Sequence, residues 1–137
     1  MCFNRILGKP EIKPVGTINN DLARIVLLDK LGEMEDDKAE IYLPDMEIKI
    51  YKRDTVKNYL SLDETSKIVY VPEVMDCDDF AAILFGKFAG LVWTNTHALN
   101  WFYDEDITLW FIEPQSDKMS LKLENWQGWD IVFFLGR

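Results

Sequence analysis

Residues 73–90, EVMDCDDFAAILFGKFAG, decide how the rest of the chain is interpreted. They set Cys77 among three aspartates, directly before an apolar run with helical spacing. Asp76 is a favourable N-cap residue, so we expect a helix whose first turn contains the thiol. The free amides and positive dipole end of a helix favour a thiolate there, whereas neighbouring aspartates oppose it by repulsion. The pattern indicates a functional thiol or a metal site, with a solvated helix start as the alternative.

The single histidine of the chain follows in NTHALNWF. The alternation in THALNWFYDEDITLWFIEP predicts a β-hairpin with strands at 97–103 and 107–112 and a turn at DED. Glu113 would then lie near the strand end opposite His97, where its carboxylate can accept the imidazole N–H. A cysteine, a histidine and an acid so placed can serve as nucleophile, base and orienting group. A partly buried histidine with a purely structural hydrogen bond is the alternative.

The remaining segments predict an α+β protein of one domain, residues 1–137. We expect an extended leader at 1–19 and a half with helices and short strands at 20–67. The cysteine-bearing helix and an antiparallel sheet would fill residues 68–137. Within the first half, residues 20–32 predict a helix capped by Asn20 or Asp21, and AEIYLPDMEIKIYKR predicts two short strands.

Composition excludes several classes of function. The formal net charge is −9, and no basic patch is visible, so nucleic acid and membranes are not expected as partners. Cys2 and Cys77 are the only cysteines, too few for a disulfide framework. The chain starts without a signal-peptide pattern and has no apolar run of about 18 residues. These features predict a soluble, cytoplasmic protein.

The combination "DCDDFA … THALNWFYDEDITLWFIEPQ" resembles the papain-like and transglutaminase-like cysteine hydrolases. More narrowly, it is similar to the C-terminal protease domain of the Marasmius oreades agglutinin and its phage and bacterial relatives that lack a lectin module. The resemblance covers residues 68–115. It implies a papain-like protease fold, in which N-terminal helices pack on a C-terminal antiparallel β-sheet and the catalytic helix opens at the cysteine.

The resemblance also implies roles for individual residues. Cys77 would be the nucleophile, His97 the general base and then acid, and Glu113 the third member of the site. Asp78, Asp79 and Glu113 would hold a divalent cation, Ca²⁺ or Mn²⁺, although the two aspartates are equally suited to satisfy helix amides. The implied function is that of a cysteine peptidase or amidase acting on a peptide or protein substrate.

The lack of an identified oxyanion donor and the acidic crowding of the thiol favour a different function. Val71 stands where papain-type enzymes carry their oxyanion-hole glutamine, which leaves a second oxyanion donor unidentified. The alternative function is a non-catalytic binding protein with the same fold, of phage or prophage origin, that uses an aromatic surface or acidic rim. Trp126 and Trp129 flank Gly128 in NWQGWD, which predicts a turn with two aromatic anchors and leaves a ligand role open. Asn100 is expected to be structural.

Overall fold

The computed structural model describes residues 10–36 and 38–137. One mixed β-sheet organises this part of the chain, with strand order β1-β3-β5-β4-β8-β2, and β6 and β7 continue from β5. The strands are β1 Gly16–Asn19, β2 Glu40–Tyr42, β3 Glu47–Ile50, β4 Gly90–Thr94, β5 Ala98–Tyr103, β6 Leu109–Glu113, β7 Lys118–Ser120 and β8 Ile131–Leu135. The helices are α1 Asn20–Glu33, α2 Arg53–Leu62 and α3 Cys77–Lys87, with 3₁₀ turns at Thr65–Lys67 and Asn125–Gln127.

The fold class inferred from the sequence was wrong in its sheet. Strands β4 to β7 form an antiparallel meander, and β8 pairs antiparallel with β4. However, β2 pairs parallel with β8, β3 pairs parallel with β5, and β1 extends the sheet beyond β3. Three strands from the N-terminal half therefore belong to the sheet, so helices do not simply pack on a separate C-terminal antiparallel sheet. Alternation marks a strand and its faces, but it does not name a distant parallel partner.

Helix α1 covers one face of the sheet. It begins after Asn19, whose side chain accepts a hydrogen bond from the Leu22 amide at 2.8 Å, rather than at Asn20 or Asp21. Its core residues recur every four positions, at Ala23, Leu27 and Leu31. They share a core with Val92, Leu99, Trp101, Tyr103 and Phe134 of the sheet.

Helices α2 and α3 cover the opposite face. Phe102 and Ile112 of the sheet pack with Leu84 of α3 and with Val56 and Leu60 of α2. Successive residues of β5 therefore enter different cores, since side chains alternate across a strand. This explains why every residue of β5 is buried, including both faces of the predicted hairpin.

The structure describes several of the local segments in more detail than the sequence does. Residues 16–19 of the leader form the strand β1 and so belong to the sheet; its residues 1–9, with Cys2, lie outside the described residues. Asp37 of the acidic loop also lies outside them. Residues 66–72, SKIVYVP, contain the end of the first 3₁₀ turn and a single bridge between Val71 and Met75. The division into one domain stays a prediction.

Across the described residues, each helix is too short or too polar to cross a bilayer.

Candidate functional site

The hairpin brings His97 and Glu113 together. His97 Nε2 lies 2.6 Å from Glu113 Oε1, and both side chains are almost fully buried. The hairpin pairs Asn100 with Ile112 across β5 and β6, which places Glu113 at the strand end next to His97. The predicted contact between imidazole and carboxylate is therefore present.

The other partners of Glu113 fix the direction of this hydrogen bond. Gln127 Nε2 donates to Glu113 Oε1 at 3.1 Å, and the Gln115 amide donates to Oε2 at 3.3 Å. A carboxylate surrounded by donors acts as acceptor, so His97 donates from Nε2. In the neutral ring, Nδ1 is then left as an acceptor, the form that a general base requires.

Cys77 is the first residue of α3 and is a free, partly exposed cysteine. Its thiol thus lies at the helix start, as the sequence predicted. The hydrogen bonds formed by residues 10–36 and 38–137 include none between Cys77 and His97. The structure therefore joins two members of the expected constellation, and the role of the third stays a prediction.

The aspartates around Cys77 form an acidic cluster. Oxygen atoms of Asp76, Asp78 and Asp79 lie within 4.8 Å of one another. A hydrogen bond with Asp78, desolvation, a hydrogen bond with Asp79 and the charges of both neighbours together raise the pKa of Asp76 to about 6. A set of carboxylate oxygens suits Ca²⁺ or Mn²⁺.

Glu113 does not belong to this cluster; its carboxylate is held by His97 and Gln127. The expected metal set of Asp78, Asp79 and Glu113 is therefore not brought together, and Asp76 stands in place of Glu113. Asp79 also accepts a hydrogen bond from the Asp76 amide at 3.1 Å, so it serves the helix start as well.

Asn100 is fully buried, and its side-chain amide donates to Ala81 O at 2.9 Å and to Gly90 O at 3.0 Å. These bonds link β5, which carries Asn100, to α3 and to β4, and they agree with the structural role expected for Asn100. Val71 lies in the bridge with Met75, on the segment before α3.

The turn NWQGWD presents two tryptophans to solvent. Trp126 is 56% exposed and Trp129 is 73% exposed, whereas Trp101 of the core is 1% exposed. Between them, Gly128 has a φ of +110°, a conformation that residues with a Cβ rarely adopt. The sequence identified these two aromatic residues as anchors of a turn, but in the structure they project outward and their indoles stay accessible.

Buried hydrogen bonds hold this turn in place. Thr94 Oγ1 donates to Gln127 O at 2.6 Å, and Gln127 donates to the buried Glu113. Asn95 Oδ1 accepts from the amides of Trp129 and Asp130 at 3.3 and 3.4 Å. Trp126 also packs edge-on against the His97 ring, with centroids 4.9 Å apart. The exposed indoles are therefore carried by a fixed backbone.

A groove of about 290 Å³ lies between this turn and the end of α1. We call it the tryptophan groove. Trp129 and Gly128 line one side, and Lys30, Glu33 and Met34 line the other. Lys122, Leu123, Glu124 and Asn125 complete the lining. The groove combines an aromatic surface with acidic, basic and amide groups, which is typical of sites for polar organic ligands.

The α1 side of the groove could not be foreseen from the sequence. Lys30 and Glu33 read as ordinary solvent-facing residues of an amphipathic helix. Their placement opposite Trp129 depends on how α1 packs on the sheet, and the sequence gives no signal for it. The exposed tryptophans did give a signal, because two of them flank a glycine in a polar turn.

No family model and no curated protein matches the sequence. Solved structures do match, and two of them are lectin chains with a similar fold. A structure described as a complex of the Polyporus squamosus lectin PSL1a with E64 superposes with a TM-score of 0.71 at 23% identity, covering 87% of this chain and 50% of that chain. The same lectin bound to the human-type influenza-binding epitope Neu5Acα2-6Galβ1-4GlcNAc superposes with a TM-score of 0.67 at 21% identity, covering 87% and 49%.

These matches correct the resemblance drawn from the sequence. The similar structures are lectin chains, so the interpretation as a papain-like or transglutaminase-like cysteine hydrolase was wrong. The expectation of a peptide or protein substrate is corrected with it. This chain spans about half the length of the lectin chains, and at this level of identity the likeness concerns the fold alone.

Proposed function

We propose that this protein is a non-catalytic binding protein whose ligand is a carbohydrate, bound at the tryptophan groove. The observation that carries the proposal is the exposed indole of Trp129, which lines the groove on a turn that buried hydrogen bonds hold fixed. Tryptophan is enriched among the residues that contribute most to binding at protein surfaces.

The chemistry of the groove suits a sugar. The face of an indole ring packs against the C–H face of a pyranose, while its N–H remains available for a polar contact. Around Trp129, the side chains of Glu33, Lys122 and Asn125 offer acceptors and donors for sugar hydroxyls. Because the turn is already ordered, binding loses little conformational entropy.

The lectin neighbours support the ligand class. One of them is bound to Neu5Acα2-6Galβ1-4GlcNAc, and this chain shares the fold of about half of that lectin. That epitope therefore belongs in a test panel, together with uncharged glycans, without being assumed as the ligand.

A glycan panel measured by calorimetry tests the proposal. We expect at least one glycan to bind, and Trp129→Ala to weaken its binding about tenfold or more, which corresponds to about 1.4 kcal/mol. Trp93→Ala is the matched control. Trp93 is also partly exposed, but it follows Val92 on β4 and so points to the face opposite α1. Unchanged affinity in Trp129→Ala, or no binding across the panel, would contradict the proposal.

We also propose, separately, that Cys77, His97 and Glu113 act at one thiol site. The support is the buried pair of His97 and Glu113, the position of Cys77 at the start of α3, and the complex of PSL1a with E64. In this site His97 would take up the thiol proton through Nδ1, with Glu113 orienting the ring. Incubation with E64 followed by mass spectrometry tests it, with a mass increase expected for the wild type and none for Cys77→Ser.

We propose further that the cluster of Asp76, Asp78 and Asp79 binds Ca²⁺ or Mn²⁺. The support is the grouping of three carboxylates within 4.8 Å. A bound cation would offset their mutual repulsion at the start of α3.

A further inference from the structure

We propose that the ligand of the tryptophan groove is an uncharged oligosaccharide chain, bound lengthwise along α1, rather than a single sugar. This inference rests on the proposed function, because it concerns the same site. It follows from a second cavity that shares a wall with the first.

The second cavity measures about 250 Å³ and lies between α1 and the turn that joins β5 to β6. Ile107, Thr108 and Leu109 line it on the sheet side, and Val26 and Asp29 line it on the helix side. Lys30 and Glu33 border both cavities. The two cavities therefore adjoin at these two side chains, and in the proposed complex the ligand crosses them; the two cavities together are called the path.

The helix side of this path is a single face of α1. Val26, Asp29, Lys30 and Glu33 follow the spacing of three and four residues that brings side chains into one row. With a rise of 1.5 Å per residue, the seven steps from Val26 to Glu33 extend roughly 10 Å along the helix. The tryptophan groove then continues beyond Glu33 to Trp129. A path of this length is longer than one pyranose ring, so a chain of sugars fills it and a monosaccharide does not.

The junction between the cavities is polar but does not close the path. Lys30 Nζ and Glu33 Oε2 are 3.6 Å apart, and the Glu33 side chain is 71% exposed. The Lys30 side chain is 14% exposed, but Glu33 lies in solvent, so its carboxylate can exchange this partner for ligand hydroxyls at small cost. The junction thus offers a donor and an acceptor to the middle of a bound chain.

The charge of the surroundings selects among glycans. Asp29, Glu33 and Glu124 line the path, against Lys30 and Lys122, and the whole chain has a net charge of −9. Sulfated or uronate-rich chains would be repelled by this field. Sugars that carry hydroxyl groups alone can use the carboxylates as acceptors. The chemistry therefore fits an uncharged oligosaccharide.

A chain-length series tests this inference. Calorimetry would use uncharged oligosaccharides of one sugar type with one to six units, together with a sulfated chain of the same backbone. We expect affinity to rise with each added unit until the path is filled, by about tenfold or more in total, and the sulfated chain to bind more weakly. Asp29→Ala, at the far end, should weaken only the longer ligands, whereas Trp129→Ala weakens all of them. Asp45→Ala, at an exposed aspartate outside the path, is the matched control.

The outcomes separate this inference from the proposed function. If short and long chains bind equally and Asp29→Ala changes neither, the path is not used and the inference is overturned, while sugar binding at Trp129 stands. If the sulfated chain binds more tightly, the assignment of an uncharged ligand is wrong. If no sugar of any length binds, the proposed function itself fails.

Discussion

At the scale of single residues, the contact between His97 and Glu113 could be foreseen. Only a short turn separates their strands, so the register of the hairpin fixes which side chains meet at its open end. The contacts of Gln127 with the same carboxylate could not be foreseen, because Gln127 comes from a turn far along the chain. Nor did the sequence place Cys77 relative to His97, since α3 packs on the sheet through tertiary contacts.

The thiol site predicts a difference in alkylation rate. At neutral pH, iodoacetamide should modify Cys77 several-fold faster in the wild type than in His97→Ala, because His97 takes up the thiol proton before sulfur displaces iodide. Peptide mass spectrometry distinguishes Cys77 from Cys2. Glu113→Gln is the second variant, since it loses the charge that orients the ring and keeps an oxygen acceptor. Equal rates in all three proteins would show that the thiol acts independently of His97.

Adding a Cβ at Gly128 is expected to reduce both the stability of the fold and ligand binding. Its φ of +110° disfavours other residues, and a Cβ would lie 2.4 Å from Thr94 Oγ1. Gly128→Ala should cost about 1–3 kcal/mol in the free energy of unfolding and displace the turn that carries the tryptophans. Urea denaturation and glycan titration measure the two effects. Gly86→Ala, in the last turn of α3, is the control: with nothing within 4 Å of the added Cβ, it should leave stability unchanged or raise it by up to about 1 kcal/mol.

At the scale of elements, the start of α3 was the best-predicted feature of the chain. Asp76 precedes the helix and Cys77 is its first residue, because N-cap chemistry is local and visible in the sequence. The grouping of the three aspartates could not be predicted, since their distances depend on rotamers and on the backbone before the helix.

The acidic cluster predicts stabilisation by a divalent cation. Millimolar Ca²⁺ or Mn²⁺ should raise the melting temperature of the wild type, because a ligand that binds only the folded state stabilises it. The double variant Asp78→Asn/Asp79→Asn should lose this shift. Asp54→Asn, in the first turn of α2, should keep it. A wild type that melts at the same temperature with and without the metals would show that the acidic cluster does not bind a cation.

The ion pair between Lys87 and Asp63 is expected to make the stability of the fold depend on pH. Burial raises the pKa of Asp63, but hydrogen bonds from Lys87 and Thr65 lower it by more, so it lies below its ordinary value of 3.8. The ionised Asp63 therefore stabilises the fold above that value, and this stabilisation is lost as the pH falls through the lowered pKa.

In Lys87→Met, Asp63 would stay buried but lose the hydrogen bond from the lysine amine. The pKa of Asp63 should therefore rise, and its charged form should destabilise the fold at neutral pH. We expect a loss of about 1–2 kcal/mol at neutral pH, less than for a fully buried pair because the Lys87 side chain is partly exposed. The loss should shrink near pH 3, where Asp63 of the variant is protonated and its burial no longer carries a charge. Denaturation in urea at both pH values measures it, and an equal loss at both would contradict the pKa argument.

At the scale of the whole molecule, the two halves of the chain share one sheet. Strands β1, β2 and β3 come from the N-terminal half, and α1 from the same half covers a core that contains Leu99, Trp101 and Phe134. The fold likeness to half of a lectin chain likewise extends over 87% of this chain, and not only over the C-terminal half.

This arrangement predicts one cooperative unit. Residues 68–137 alone should lack native near-ultraviolet circular dichroism, because their sheet would lose its partners and one face of its core would be exposed. The full chain should unfold in a single transition that is the same by fluorescence and by circular dichroism. A fragment that folds alone, or two separate transitions, would show that the halves are independent.

The sequence by itself determined α1, α3 with its N-cap, the short strands β2 and β3, and the β5–β6 hairpin with its register, because these depend on interactions between residues close in the chain. The tertiary structure alone decided that β2 and β3 pair in parallel with distant strands, that Asp76 rather than Glu113 joins Asp78 and Asp79, and that Lys30 of α1 faces Trp129. Each of these depends on which distant segments meet, and that choice is made by burial of the whole core rather than by any local pattern.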